Sequence, residues 1–418
     1  MADPQFKSTF LQVMQARGYI HQITHPEELD EAATRGVVSG YVGYDATAPS
    51  LHIGNLITIM MLRRLQQTGH KPIVIVGGGT TKVGDPSGKD ETRQLRTHDE
   101  IQANIASQKQ AFAKFLKFGD GPTDAIMVDN DEWLSKLGYI DFLRDYGVHF
   151  TINRMLAFDS VKLRLDREQP LTFIEFNYML MQATDFLELN RRYGCQLQMG
   201  GSDQWGNIVN GVELIRRVDQ KPAFGLTTPL LATASGAKMG KTAQGAVWLN
   251  ADMRSPYDYW QFWRNTEDAD VGKFLKLFTD LPLGEIARLE ALEGAGINEA
   301  KKVLANEATT LLHGAEEAAK AATKADLVHA QGLVSEDVRS VEFDWGEFEK
   351  RSAQALVKAA NLAGSTKEAG VLISQGRVTI NGHVVAEGAH YAREDILPET
   401  GAFRIQVGKK NIRDLKPV

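Results

Sequence analysis

A single cysteine, Cys195, stands in 418 residues, which excludes an intramolecular disulfide and a zinc site built from cysteines. No apolar run approaches the roughly 18 residues needed to span a bilayer. The opening stretch MADPQFKSTFLQVMQ has neither the apolar core of a signal peptide nor the arginine-rich, acid-free bias of a transit peptide. The cytoplasm is therefore the expected compartment. A basic surplus that would advertise nucleic-acid binding is also lacking, since the net charge is −6. What is present is an ordinary globular composition, 43% hydrophobic and 24% charged, on a chain long enough for two or three domains.

The charge is unevenly distributed. Residues 351–418 hold ten Lys and Arg against six Asp and Glu, a net of +4, which leaves −10 for the rest. A basic tail on an acidic body suggests an RNA contact.

Residues 41–58, YVGYDATAPSLHIGNLIT, organise the first half. VVSGYVGYD reads as a strand, and NLITIMMLRRLQQTG carries helical apolar spacing that stops at Gly69. The turn between them brings His52 and Asn55 onto the first helical turn, where unpaired N–H groups suit an anion. Taken alone, this fits an ordinary βα turn with a surface histidine equally well. A second stretch, Lys-Met-Gly-Lys-Thr at 238–242, lies in the glycine-rich loop TASGAKMGKTAQGA. Two lysines three apart suit a clamp on polyphosphate, or simply a solvated basic loop.

In this order, and about 180 residues apart, the two stretches resemble the paired ATP-binding motifs of class I aminoacyl-tRNA synthetases. YVGYDAT, GDPSGK, YMLMQATDF and QMGGSDQWGN narrow the resemblance to bacterial-type tyrosyl-tRNA synthetases, and it extends over nearly the whole chain. Asn55 stands where the family commonly has histidine, and Gly240 and Thr242 replace two serines. Asparagine still donates a hydrogen bond.

The remaining segments give an α/β fold: a Rossmann-like parallel-sheet catalytic domain, a helical domain and a small α+β RNA-binding domain. KPIVIVGGGTTKVGDPSG is a buried-type strand ending in glycines, and AIMVDN (125–130) reads as another central strand. Strand-helix-strand succession implies a parallel sheet with right-handed crossovers and a ligand at its carboxyl edge. Residues 131–170 read as an insertion with apolar side chains that lack an internal partner, a place for a subunit interface. On the helix beginning at Thr172, Glu175, Tyr178, Gln182 and Asp185 form a polar stripe on an otherwise apolar surface. Such a stripe must be satisfied by solvent or by a bound polar ligand. CQLQMGGSDQWGN is a strand entering a helix. The expected domains are 1–252, with the lysine loop at 233–245, a helical domain 253–330, a linker 331–350 without helical period, and a tail 351–418. The tail reads as two small helices, an Asn-Gly hairpin and a further strand, and resembles the RNA-binding domain first named for the fourth small-subunit ribosomal protein.

By resemblance, Tyr41 and Asp185 hold a tyrosine hydroxyl, while Asp85, Tyr178 and Gln182 take its ammonium group and Gln204 lies near the carboxylate. Gly43, Asp45, Asn55, Thr58, Gly201 and Asp203 hold the adenylate. Thr47, His52, Lys89, Arg93, Lys238, Lys241 and Thr242 meet the phosphates of ATP, with Mg²⁺ entering on the nucleotide and no protein metal site. Lys367, Arg377, Lys409 and Lys410 face RNA. The partners implied are tyrosine, ATP, tRNA(Tyr) and a second copy of the chain. The alternatives are tryptophanyl-tRNA synthetase or another class I nucleotidyl-transferring enzyme, and a non-catalytic RNA-binding protein on the same scaffold.

Overall fold

The computed structural model describes residues 5–85, 96–236, 239, 241–242, 245–330, 339–346, 349–397, 401–408 and 411–417. The alternation of apolar strand and helix becomes a six-stranded sheet of β1 (Gln22–Ile23), β2 (Ser39–Tyr44), β3 (Lys71–Val76), β4 (Ile126–Asp129), β5 (Cys195–Gly201) and β6 (Phe224–Thr228). Their order is β1-β6-β5-β2-β3-β4. β1 is antiparallel to β6, and every other neighbouring pair is parallel. β3 and β6 are almost wholly buried, as strands covered on both faces require. The chain winds from β2 outward to β4, then returns to β5 on the other side of β2. That reversal opens a crevice at the carboxyl ends of β2 and β5.

AIMVDN is not central. Ile126–Asp129 forms the sheet edge, with β3 as its one neighbouring strand among the described residues, and Ile126 and Met127 are half-buried. A four-residue apolar run carries no signal that separates edge from centre. The insertion consists of the short helices Asp131–Leu134, Tyr139–Asp145, Ile152–Leu156 and Asp159–Asp166. It leaves Ile140, Val148 and Ile152 exposed, as is Phe173 just after it. The lysine loop carries a small antiparallel hairpin, β7 (Lys241–Thr242) with β8 (Gly245–Ala246).

The chain divides into two compact units, residues 1–320 and 321–418, so residues 253–320 of the helical segment fall in the same unit as the sheet and residues 321–330 in the other. Polar ties bind residues 253–320 to the sheet region. Asp280 accepts from Arg63 Nε at 3.1 Å and from Arg64, both on the helix Ile53–Gln67. Burial opposes the charge on Asp280, but the two guanidinium groups pull its carboxyl down to about 2. Arg17 donates to the carbonyls of Lys276 and Thr279, each at 3.0 Å.

In the second unit, β9 (Arg339–Phe343), β11 (Val378–Ile380), β12 (His383–Val384), β14 (Phe403–Val407) and β15 (Asn411–Pro417) form a sheet ordered β12-β11-β14-β15-β9. A separate pair joins β10 (Lys350–Ser352) to β13 (His390–Ala392). Asn381 and Gly382, with φ of 53° and 83°, make the β11–β12 turn, the left-handed backbone that an Asn-Gly pair favours. Part of the expected linker is therefore built structure. β9 runs parallel to β15, and Trp345 is buried with its ring stacked on Phe403 at 5.6 Å. RSVEF has strand period, with Val341 and Phe343 packed inward, which a search for helical period passes over. Residues 331–338 lie outside the described residues.

Candidate active site

The helix Phe173–Tyr193 starts at a capping box, in which Thr172 accepts from the Glu175 amide and Glu175 accepts from the Thr172 amide. Glu175 is thus occupied by the cap, buried beside Arg164, and does not belong to the ligand-facing stripe. The stripe proper is Tyr178, Gln182 and Asp185.

Asp185 is 3% exposed. Its Oδ1 accepts from Trp133 Nε1 at 2.8 Å and its Oδ2 from Asn130 Nδ2 at 2.9 Å. Burial outweighs these two donors and raises the carboxyl from an ordinary 3.8 to about 8. Tyr41, on β2, is enclosed close enough for Asp185 to act with burial in pushing its phenol well above the usual range. Among the described residues the Tyr41 hydroxyl has no hydrogen-bond partner. The same holds for Oε1 of Gln198, which sits opposite Tyr41 in the β2–β5 register. Buried polar atoms without partners are costly unless a ligand supplies them, and the Tyr41 hydroxyl is the one beside a buried carboxyl.

Beyond this recess lies a second polar group. Tyr178 Oη is 3.3 Å from both oxygens of Asp45, and Asp45 Oδ1 accepts from Thr80 Oγ1 at 2.8 Å. Gln182 Nε2 reaches Gln204 Oε1 at 3.4 Å, Asn207 Nδ2 reaches the same oxygen at 3.0 Å, and Gln204 Nε2 donates to Asp85 Oδ2 at 3.0 Å. Three elements thus bring Asp85, Gln182 and Gln204 together, and Asp45 joins Tyr178 rather than standing apart with Asp203. The glycines after β3 allow this crowding. A side chain at Gly77 would overlap Asp45, and one at Gly78 would overlap the Asp129 carboxylate, which accepts the Gly78 N–H at 3.0 Å.

A third group is built around His52, the N-cap of the helix Ile53–Gln67. His52 Nδ1 accepts the Gly54 amide at 3.0 Å, and Asn55 Oδ1 accepts the His52 amide at 3.1 Å. The neutral ring therefore carries its proton on Nε2, and Asn55 keeps its NH₂ as a donor. The loop holding half-buried Thr47 is fixed by Asn104 Nδ2 to Ala46 O at 2.8 Å and Gln108 Nε2 to Ala48 O at 2.9 Å. Past β8 the chain pairs directly with the His52 turn. Ile53 N–H donates to Val247 O and Leu249 N–H to Leu51 O, both at 2.9 Å. The chain leaving the lysine motif is thus stitched by backbone to the His52 turn.

Other expected residues stand as follows. Gly43 is the exposed position of β2, and Gly201 ends β5 beside exposed Asp203. Thr58 turns inward, its hydroxyl donating to Asn55 O at 2.9 Å and lying 3.1 Å from Tyr44 Oη. Lys89, Arg93 and Lys238 lie outside the described residues, as do the side chains of Lys241 and Thr242. In the second unit Lys367 and Arg377 are exposed, and Gly408 N–H donates to Arg377 O at 2.9 Å. Lys409 and Lys410 lie outside the described residues.

A sequence-family profile described as tRNA synthetases class I (W and Y) matches residues 34–330. The tyrosine–tRNA ligase of Caulobacter sp. (strain K31) is 68% identical over 418 residues, the whole of both chains. That of Zymomonas mobilis subsp. mobilis is 59% identical over 97% of this chain and 98% of its own. The chain belongs to the tyrosyl-tRNA synthetase family. A solved relative, a C-terminally truncated mitochondrial tyrosyl-tRNA synthetase of Aspergillus nidulans, is 32% identical, with a TM-score of 0.69 over 77% of this chain and 94% of that one.

Several residues that shape this synthetase site escape a reading of the sequence. Asn130 and Trp133 orient Asp185, Thr80 holds Asp45, and Asn104 and Gln108 hold the Thr47 loop. Asn130 alone left a signal, as a polar residue at the carboxyl end of a parallel strand.

The buried carboxyl predicts a pH dependence. The folded chain keeps the Asp185 proton between 3.8 and about 8, a window in which the unfolded chain has lost it. The stability this group contributes is complete below the lower value and is lost as pH rises through the upper one. Asp185→Asn sacrifices an acceptor at every pH but does not titrate. Thermal unfolding at about pH 6 and about pH 9 should show a larger loss in the parent chain than in the variant. Equal losses would contradict burial as the controlling influence on Asp185.

Proposed function

We propose that the chain is a tyrosine–tRNA ligase. A carboxylate oxygen of tyrosine attacks the α-phosphorus of ATP, the bond to the β-phosphate oxygen breaks, and tyrosyl-adenylate and pyrophosphate form. A ribose hydroxyl of the terminal adenosine of tRNA(Tyr) then attacks the tyrosyl carbonyl, forming the ester and releasing AMP. The observation that carries this reading is the Tyr41 hydroxyl, buried beside the enclosed Asp185 and without a hydrogen-bond partner among the described residues. A phenolic O–H can serve both groups at once, accepting from Tyr41 and donating to Asp185.

The polar group one turn further along the helix suits the other end of the amino acid. The carboxylates of Asp45 and Asp85 face an ammonium, with Tyr178 and Gln182 beside them and Gln204 near the carboxylate. His52 Nε2–H, the Asn55 amide and the first turn of their helix are donors for phosphate. Gly43, Thr58, Gly201 and Asp203 complete the adenylate side in this reading, while Thr47, Lys89, Arg93, Lys238, Lys241 and Thr242 meet the phosphates. The attacking carboxylate is already ionised, so no protein base is required. Rate enhancement comes from positioning and from charge placed where the pentacoordinate phosphorus needs it. Mg²⁺ enters on the phosphates, which hold it with few protein ligands.

The exposed apolar side chains of the insertion, Ile140 and Val148, and of Phe173 just after it, each about 70% exposed, support a homodimer, because apolar surface left in water is what a partner would cover. The surplus of basic residues after residue 350 supports tRNA binding by the second unit. In this reading the enzyme works in the cytoplasm.

Removing the hydroxyl-reading carboxyl should alter selectivity. Asp185→Ala should weaken tyrosine binding by on the order of 10-fold or more while changing phenylalanine binding little, since only tyrosine loses a bond to a buried acceptor. Equilibrium titration of both amino acids, with folding checked, decides it; equal losses would remove Asp185 from hydroxyl recognition.

The two chemical steps should separate by unit. Because β9 and Trp345 belong to the second unit, the cut is made after Ala330. The truncated chain should retain tyrosine-dependent ATP–pyrophosphate exchange and lose transfer to tRNA, and full-length tRNA binding should weaken with added salt. Transfer at the full-length rate would exclude the second unit as the tRNA-binding part.

A further inference from the structure

Between β6 and the lysine motif the chain passes through the arm Leu231–Ser235, which is bonded to side chains from the helical segment. Ala234 N–H donates to Asp270 Oδ2 at 2.8 Å, Lys273 Nζ donates to Ala232 O at 3.1 Å, and Ser235 Oγ donates to Glu267 Oε1 at 2.7 Å. Asp270 is 4% exposed and occupies the N-cap of the helix Val271–Phe278. Aspartate at that position ordinarily caps its own helix. Here its side chain makes no cap bond and instead reaches an amide 36 residues earlier in the chain. Lys273 lies one turn on, along the same helix face, so the helix grips the arm by one carbonyl and one amide.

The far end of this helix is tied to the other motif. The Thr279 carbonyl accepts from Arg64, and the Asp280 carboxylate accepts from Arg63 and Arg64, on the helix that His52 caps. A single eight-residue helix is therefore braced against both motifs. The arm in turn governs the loop. Met239, between the two lysines in sequence, is buried, and its N–H donates to Leu231 O at 3.1 Å.

We propose that Asp270 and Lys273 are positioning residues for the lysine loop, setting where Lys241 meets the departing pyrophosphate. This rests on the ligase reading above. Ala234 is exposed, so water can replace the lost carboxylate bond. The consequence of losing it is a misplaced arm rather than an unfolded chain. Small displacements of groups that act only in the transition state are costly to rate.

Single-turnover formation of tyrosyl-adenylate by the full chain tests this. Asp270→Ala should slow the step by on the order of 10-fold with little change in tyrosine KM. Asp270→Asn, which keeps an acceptor oxygen, should recover most of that loss. In a Lys241→Ala background, Asp270→Ala should add less than about 2-fold, because both changes remove the same contact. Lys273→Ala, at an exposed position, should give a smaller loss of the same kind and stands in if Asp270→Ala does not fold. An undiminished rate, a loss as large in the Lys241→Ala background as in the parent, or a loss expressed in tyrosine KM would each overturn the proposal. Absence of tyrosine-dependent adenylate formation in the parent chain would instead refute the ligase reading, and this proposal with it.

Discussion

A carboxyl enclosed as Asp185 is can persist only if its surroundings supply donors, and much of the first unit is arranged to do so. The Asn130 donor comes from the carboxyl end of the edge strand β4, and Trp133 from the short helix that follows. The facing Tyr41 comes from the central strand β2, and Asp185 itself from a helix fixed by its capping box and ending at Gly194. Three stretches distant in sequence, β2, residues 126–134 and the helix Phe173–Tyr193, must be in register before this one group is satisfied. The recess is accordingly rigid, and a rigid recess with unpaired polar atoms selects a ligand by hydroxyl placement rather than by size alone.

The turn at His52 rests on a different constraint. His52 uses Nδ1 and Asn55 uses its carbonyl oxygen to cap their own helix, and Asn55 keeps an amide donor. The same turn is a backbone partner of the chain leaving the lysine loop. Capping, tautomer choice and the meeting of the two motifs are thus one arrangement, and asparagine in place of histidine at position 55 preserves it through its amide donor.

Much of this was legible in the sequence where period and punctuation were strong. The strand before His52, the helix after it, the buried run of β3, the long helix Phe173–Tyr193 and the Asn-Gly hairpin each carry a local signal. Legibility ended where a residue's role depends on what another element brings to it. Glu175 has the spacing of the polar stripe, yet it is taken by the cap because Thr172 precedes it by three. Asp45, Gln204 and Asp85 acquire their neighbours only when β2, β3 and β5 align. Ile126–Asp129 is too short for period to tell edge from centre, and the strand period of Arg339–Phe343 is passed over by a search for helical period. The helical segment reads as a separate domain, because the ties that join it, Arg17 to Thr279 and Arg63 to Asp280, are single polar residues far apart in sequence.

The central claim is that the orphaned Tyr41 hydroxyl and Asp185 define a phenol-reading pocket coupled to nucleotide chemistry. The most direct test is ATP–pyrophosphate exchange by the intact chain with tyrosine, phenylalanine and tryptophan supplied one at a time. The account predicts rapid exchange with tyrosine and almost none with the other two, because phenylalanine would leave the buried polar groups unpaired. Comparable exchange with phenylalanine or tryptophan, or none with tyrosine, would contradict it.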